Sequence, residues 1–475
     1  MTSVATPSAA GPVDLGAGRR AVKVAVGFSH SCAILDNGSV RCWGIGTDGR
    51  LGSGNTNTVG DNETPGSVDP VDLGVGRTAV AISASSSHTC ALLDSGSVLC
   101  WGVNNSGQLG YGNTNHVGDD ETPGSVGPVN LGAGRTAVAV EAGNTRTCAI
   151  LDNGTVKCWG SSTETPASLP AVDFGGRIPV GISASAFHIC AILDDGTMRC
   201  WGSNMSGELG YGNTTSVSSP AAAGSVDLGA ERTATAVTAS GDGFWGGVRT
   251  CAILDNGSVR CWGAGGEGLL GNGNTETIGD DETPGSIPPL DLGAGRTTVD
   301  ISANAFHTCA LLDDGTVRCW GTGGFGALGT GNNDNIGDDE TPGSVPAVEL
   351  GAEYGVIETV AGSLHSCALF ANGTVRCWGS GASGRLGYGD TNNIGDNENV
   401  GSAGTVNLGG SSATQIAAGD NHTCALLQDG TVRCWGSSSS GQLGYGNTND
   451  IGDTESPGSV GPVALGASAV GIAAG

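Results

Sequence analysis

The stretch CAILDNGSVRCWG, residues 32–44, sets two cysteines nine residues apart around a polar turn, with a tryptophan behind the second. Short β-prone runs on either side of an Asp/Asn-Gly cluster signal a hairpin. A three-residue loop, a type I turn followed by glycine in the left-handed region, suits Asp36-Asn37-Gly38, because only glycine enters that region cheaply. Counting outward pairs Leu35 with Ser39, Ile34 with Val40, Ala33 with Arg41 and Cys32 with Cys42. A two-residue turn would set Cys32 against Trp43 instead, so loop length decides whether the sulfurs meet. Directly opposed residues of the non-hydrogen-bonded kind have Cα atoms about 4.5 Å apart, at the short end of disulfide geometry.

The stretch returns as Cys32/Cys42, Cys90/Cys100, Cys148/Cys158, Cys190/Cys200, Cys251/Cys261, Cys309/Cys319, Cys367/Cys377 and Cys424/Cys434, which uses all sixteen cysteines. The expectation is one disulfide per copy, each contributing about 3 kcal/mol in the chain-entropy model. Zinc is disfavoured, since there is no C-x-x-C and a tight hairpin cannot gather four ligands. Disulfides persist in oxidising compartments, so the chain is expected to be secreted, extracellular or at the cell surface. MTSVATPSAAGPVDLG at the start has neither a basic nor an apolar leader region, which reads as a trimmed or partial chain.

First cysteines are spaced 58, 58, 42, 61, 58, 58 and 57 residues apart, a period that marks solenoids, propellers or arrays. Each copy reads as four short strands: an alternating run such as AVKVAVG (21–27), the two cysteine strands, and PVDLG (70–74). Nothing has helical periodicity. Four-stranded units in series, each too small to stand alone, predict an all-β propeller of eight blades. The single propeller covers 21–475, with hairpins at 32–42, 90–100, 148–158, 190–200, 251–261, 309–319, 367–377 and 424–434. Residues 1–20 carry a spare fourth strand (12–16), and 468–475 form a spare first strand. These spare strands allow ring closure, a longer array, or pairing with another molecule. The tryptophan behind each second cysteine is expected to wedge between blades.

Composition bounds partners. The 475 residues hold 87 glycines and a net charge of −27 with a pI near 4.3, which phosphate backbones and anionic lipid repel. Nucleic acid is therefore excluded as a partner. No run of 18 apolar residues is present, so no membrane insertion is expected.

AAGDNHTCALLQDGTVRCWGSSSSGQLGYGN (417–447) resembles the repeat of the regulator of chromosome condensation family. The shared features are glycine before a histidine, a short apolar strand, DG, a strand ending WG, then a GQLGxG turn. The resemblance implies a β-propeller, usually seven-bladed, serving as an exchange factor, ubiquitin-ligase module, photoreceptor or secreted inhibitor. This chain departs in its eight copies and in its cysteines, the latter a feature of secreted bacterial members. Fold alone does not carry function.

Six histidines (His30, His88, His188, His307, His365 and His422) stand two residues before the first cysteine, with Arg146 and Arg249 replacing them in copies three and five. Arginine there argues for structural hydrogen bonding over a metal ring. LDDGTMRCWG resembles the aspartate box of sialidases, but four of the five tyrosines lie in repeated LGYG loops and no G-x-S-x-G, H-E-x-x-H or P-loop occurs. No catalytic residue is assigned, and the chain reads as a non-enzyme.

Loops alternate between the two faces of a meander, so the segments before the cysteines and the long segments after CWG share one loop face. The long loops concentrate acids, among them Asp119, Asp120, Glu121, Asp280, Asp281, Glu282, Asp338, Asp339 and Glu340. Asn-Thr-Asn ahead of them supplies hard oxygens of the kind calcium takes, although the spacing is not that of an EF-hand. No cofactor is assigned, with calcium as the one candidate. Copies three to five break the pattern: the third loop collapses to SSTETPASLPAV, the fourth replaces its acids by SVSSPAAAGS, and the fifth inserts GDGFWGGV (241–248). Phe244 and Trp245 are the binding-anchor candidates, exposed aromatics at a neutral gap in an acidic rim. The function expected is a propeller scaffold that binds a protein or glycan through its loop face. The alternative is a self-associating structural protein joined head to tail through the spare strands, and third stands a glycan-processing enzyme.

Overall fold

The computed structural model describes residues 21–27, 29–143, 145–160, 162–185, 187–241, 247–351, 355–429 and 431–460. Both spare strands, and the Phe244–Trp245 pair, lie outside the described residues. The remainder forms eight three-stranded antiparallel sheets, each an up-and-down meander. Their inner strands are Ala21–Val26, Ala79–Ala84, Ala137–Ala142, Pro179–Ala184, Ala234–Ser240, Thr298–Ala303, Val356–Ala361 and Ala413–Ala418, defining blades 1 to 8. Middle and outer strands are the two arms of the cysteine hairpin, such as His30–Leu35 and Val40–Gly44.

Hairpin register follows the loop count. Cys32 pairs with Cys42, Ala33 with Arg41 and Ile34 with Val40, and Leu35 N–H donates to Ser39 O at 2.8 Å. Gly38 closes the turn at φ 76°, where a side chain would be strained. All eight expected disulfides are formed, one to a blade: Cys32–Cys42, Cys90–Cys100, Cys148–Cys158, Cys190–Cys200, Cys251–Cys261, Cys309–Cys319, Cys367–Cys377 and Cys424–Cys434. No cysteine is free. Their Cα atoms stand 4.0–4.1 Å apart, slightly closer than the spacing of about 4.5 Å expected of directly opposed residues.

The expected fourth strand shrinks to a single contact. Val71 N–H donates to Val40 O at 2.8 Å, and the same bond recurs from Val129, Val172, Val226, Leu290, Val348 and Val406. In blade 1 the cause is local. Pro70 has no N–H, and the Asp72 carboxylate accepts Gly74 N–H at 2.8 Å, turning the chain away after one extended residue. The long loop is fastened separately, by reciprocal bonds between Gly44 and Val59 and their equivalents in every blade but the third.

A tyrosine adds a second fastening in four blades. The hydroxyls of Tyr111, Tyr211, Tyr388 and Tyr445 each accept from the backbone N–H of the second cysteine and donate to its carbonyl, at Cys100, Cys200, Cys377 and Cys434, over 2.9–3.2 Å. In blades 5 and 6 the position is Asn272 or Thr330, and Cys261 and Cys319 lack that clasp.

Blades join through tryptophan and glycine. A Cβ on Gly52 would stand 3.0 Å from the Trp101 ring of the next blade, and Gly110, Gly210, Gly271, Gly329 and Gly387 meet Trp159, Trp262, Trp320, Trp378 and Trp435 alike. The indoles are buried, and Trp262 and Trp378 donate Nε1–H to Glu208 O and Ala327 O at 3.0 Å. The ring closes on itself: Gly441 of blade 8 abuts Gly60 of blade 1 as Gly49 of blade 1 abuts Gly118 of blade 2. One continuous apolar cluster also runs across that closing junction. Inner strands present open edges, a liability that is handled by side chains. Ser83, Ser183 and Ser302 accept N–H bonds from Ala142, Ala239 and Ala361 of the following blade at 2.9–3.0 Å, and Glu358 accepts from Ile416 at 3.0 Å.

Candidate functional site

The loop face is built on a layer of buried histidines. His30 Nε2 meets Thr89 Oγ1 of the next blade at 2.8 Å, and His88–Thr147, His188–Thr250, His307–Ser366 and His365–Thr423 repeat the pair at 2.7–2.8 Å. Thr147 Oγ1 spends its one proton on Gln108 O at 2.8 Å. The hydroxyl must therefore accept from His88, which fixes that imidazole as the neutral Nε2–H tautomer. Its Nδ1 then accepts from Ser85 Oγ at 2.8 Å. Burial holds the histidines neutral, with pKa values lowered to about 3 for His30, His88, His188 and His307 and about 4 for His422. Five of the six are struts to the next blade, as the arginine replacements imply, while His422 Nε2 is buried with no hydrogen-bond partner among the described residues.

The bridges lie within the blades and take no part in a binding surface. Cys90, Cys100, Cys190, Cys200, Cys251, Cys261, Cys309, Cys319, Cys367 and Cys377 are 0–3% exposed, and Cys424 and Cys434 8% and 3%. Their part is to staple the hairpins that carry the loop face.

Arg249 does the work of a histidine strut with more bonds. It is fully buried and donates to Thr308 Oγ1 at 3.0 Å, Ala305 O at 3.1 Å, Asn304 O at 2.6 Å and His307 O at 2.8 Å. Arg146 differs, being only half-buried at a cleft shared with Glu141, Phe187 and Ile189. Isoleucine stands there in place of the usual hydroxyl. Glu141 is exposed to the ring's centre, yet the protein crowded around it raises its carboxyl to about 7, opposed by Lys23. The blade 3–blade 4 junction relies on an edge-to-face contact between Phe174 and Trp201, with centroids 5.6 Å apart. Replacing Arg249 with alanine is expected to cost about 3 kcal/mol in urea unfolding, because four acceptors lose a charged donor. Arg146→Ala is expected to stay within about 0.5 kcal/mol. Equal losses at the two positions would contradict this division.

Above the histidines, the acidic loops are anchored across blades. Thr122 Oγ1 donates to Asp72 of the preceding blade at 2.9 Å, Thr283 to Asp227 at 2.8 Å and Thr341 to Asp291 at 3.1 Å. Asn407 and Ser456 replace that pair together, bonded at 3.0 Å. The link was not anticipated, although this joint change within one chain was a readable signal. Asp119–Glu121, Asp280–Glu282 and Asp338–Glu340 each bring three carboxylates within 4.8 Å of one another. Burial first, then neighbouring aspartates, raises Glu121, Glu282 and Glu340 to about 7. A cation beside any triad would relieve that repulsion.

Blade 4 interrupts this rim. Its loop lacks the acids: Ser218 and Ser219 lead straight into the one-turn helix Pro220–Ala223, the counterpart of Pro123–Val126 in blade 2, with Ala222 and Ala223 exposed. Met205 is 83% exposed and Phe187 38%. The Phe187 carbonyl accepts Ser203 N–H at 3.0 Å, which sets both side chains on one face of the same blade. A groove of about 460 Å³ at the junction with blade 5 is lined by Tyr211, Val217, Ala223, Asp227 and, from blade 5, Thr283, whereas Phe187 lines the separate cleft towards blade 3. The neutral gap expected from copies three and four is therefore present, with Met205 and Phe187 as exposed apolar residues that sequence reasoning passed over. A further unforeseen feature is an apolar collar on inner strands, where Val80, Val138, Val180, Val299 and Ile357 are 55–66% exposed.

The comparisons with known proteins agree with this geometry. Residues 3–352 match the RCC1-like domain, and 356–385 and 413–442 match the regulator of chromosome condensation (RCC1) repeat. The chain is 29% identical over 384 residues to the ultraviolet-B receptor UVR8 of Arabidopsis thaliana, covering 78% of this chain and 80% of that protein. It is 33% identical over 208 residues to the human E3 ubiquitin-protein ligase HERC2, a match of 43% of this chain but only 4% of the ligase's length. Among solved structures it is similar in fold to Prp20p of Saccharomyces cerevisiae, with a TM-score of 0.53 at 18% identity over 82% of this chain and 89% of that one.

Proposed function

This chain belongs to the RCC1-like β-propeller family, and from that premise we propose that it is a secreted or cell-surface scaffold that recognises a protein or glycan through its loop face, without catalysis. The observation that carries the reading is the break in the loop face at blade 4. An acidic rim gives way there to exposed Met205, Ala222 and Ala223, while the repeat around them stays regular. Contiguous apolar exposure rimmed by polar groups is how binding surfaces differ from ordinary surface. Sixteen cysteines in eight bridges support the assignment to an oxidising compartment. Phe244 and Trp245, outside the described residues, are proposed as further binding anchors.

Capture from the native culture medium tests the reading. Immobilised protein is expected to retain a partner, and Met205→Ser with Ala222→Glu on the loop face is expected to lose it. Asp94→Asn with Asp152→Asn, on the opposite turns, is expected to keep it. Loss only on the turn-side variant contradicts the proposal. No resident cofactor belongs to this reading. One oxygen from each carboxylate of a triad gives three ligands, where calcium takes six to eight. Millimolar calcium is accordingly expected to move melting by less than about 2 °C, and chelation to leave it unchanged. A larger shift would make the triads calcium sites.

A further inference from the structure

We propose that the junction of blades 4 and 5 is a docking groove for a segment of a partner protein in which a bulky apolar residue is flanked by lysine or arginine. The inference rests on the loop-face reading above and specifies its partner. Three observations converge at this junction. The groove of about 460 Å³ has Tyr211, Val217 and Ala223 in its walls with Asp227 and Thr283 beside them, room for a large apolar side chain together with a cationic neighbour. The Asp280–Glu282 triad runs along its edge: Gly212 leaves no more than 3.5 Å between a Cβ and the Glu282 and Thr283 atoms of blade 5. Gly207, two residues after the exposed Met205, abuts the Asp280 backbone so closely that a Cβ would stand 2.5 Å away. Met205, triad and groove therefore form one patch.

Charge decides the occupant. The chain carries −27 overall, and the three carboxylates sit within 4.8 Å of one another. Their mutual repulsion, which with burial lifts Glu282 to about 7, falls when a cation approaches. An equivalent triad stands at blade 2, but the groove beside it, in blade 1, is more acidic, with Asp61, Glu63, Asp69 and Asp72 in its lining. The blade 4 groove carries one carboxylate in its lining, Asp227, to which Thr283 Oγ1 donates at 2.8 Å, beside the apolar Tyr211, Val217 and Ala223. Apolar contact then sets position, while the triad sets polarity and speeds encounter.

The test uses the full chain and a fluorescein-labelled peptide with one tryptophan between two lysine pairs, read by fluorescence anisotropy at physiological salt. Binding is expected, and a companion peptide with serine for tryptophan is expected to bind at least about tenfold more weakly. Met205→Ser with Ala223→Glu is expected to weaken the first peptide at least about tenfold. Asp280→Asn, Asp281→Asn and Glu282→Gln together are expected to do the same. The matching triple change at Asp338, Asp339 and Glu340 is expected to stay within about twofold. All altered positions are exposed or half-exposed, and circular dichroism with thiol counting verifies each fold. No binding by the parent, equal loss at both triads, or full binding by the Met205/Ala223 variant overturns the proposal. If the native partner is still captured by that variant but lost on changes elsewhere on the loop face, the groove is wrong and the loop-face reading stands. If no loop-face change affects capture, both fail.

Discussion

Complete reduction is expected to unfold the ring at temperatures where the oxidised protein is intact. Each bridge closes an eleven-residue hairpin, worth about 3 kcal/mol in the chain-entropy model. Even at half that value, eight bridges together come to about 12 kcal/mol, within the 5–15 kcal/mol that separates typical folded domains from the unfolded chain. The apolar core offers limited compensation, since aromatics make up only 4% of residues and each blade's sheet has three short strands. The sulfurs are also nearly inaccessible, with every cysteine except the half-buried Cys158 below 9% exposed. Dithiothreitol alone is therefore expected to act slowly, and quickly once urea opens the blades. Titration should find no thiol in native protein and sixteen after denaturing reduction, with circular dichroism lost in step. A reduced chain that keeps its β signal and melting temperature would show that packing, not the bridges, holds the blades.

Acid is the second large lever. The buried histidines have folded-state pKa values lowered to about 3 or 4, whereas the unfolded chain titrates near 6.5. Burial lowers His365 well below its ordinary value, helped by Arg385, His307 and His422. Between those limits the unfolded state binds more protons, so stability falls as pH falls. The loss is about 1.4 kcal/mol per pH unit for each histidine, and six act together. The triad glutamates and Glu141 work in the opposite direction. Their folded pKa values are raised to about 7, so protonation between pH 7 and 4.5 favours the folded form. They are fewer and more exposed, which screens their effect. The melting temperature should hold or rise slightly from pH 7.5 to 6.5, then drop steeply below about pH 5.5. His88→Gln should blunt the acid limb, and a stability that stays level down to pH 4 contradicts the strut account.

The hairpin register, the eight bridges and the tryptophan wedges were legible because they depend on residues close in sequence. One glycine position fixes the turn, the turn fixes the register, and the register fixes which side chains meet. The fourth strand was misjudged because PVDLG alternates like a strand, while Pro70 and the Asp72 turn leave one residue able to pair. Cross-blade links such as Thr122–Asp72, with 50 residues between partners, needed the ring itself to bring them together. The loss of acids in copy four was plain in the sequence, but not that it leaves Met205 exposed beside a groove, since that depends on how blade 5 leans on Gly207.

Hydrogen–deuterium exchange of the full chain, alone and with the captured partner, tests the central claim most directly. The account predicts protection confined to loop-face segments, strongest across 203–225 and 274–287, with the turns at 94–97 and 152–155 unchanged. Protection centred on those turns or on the inner-strand collar, with the loop face exchanging as freely as before, would contradict it.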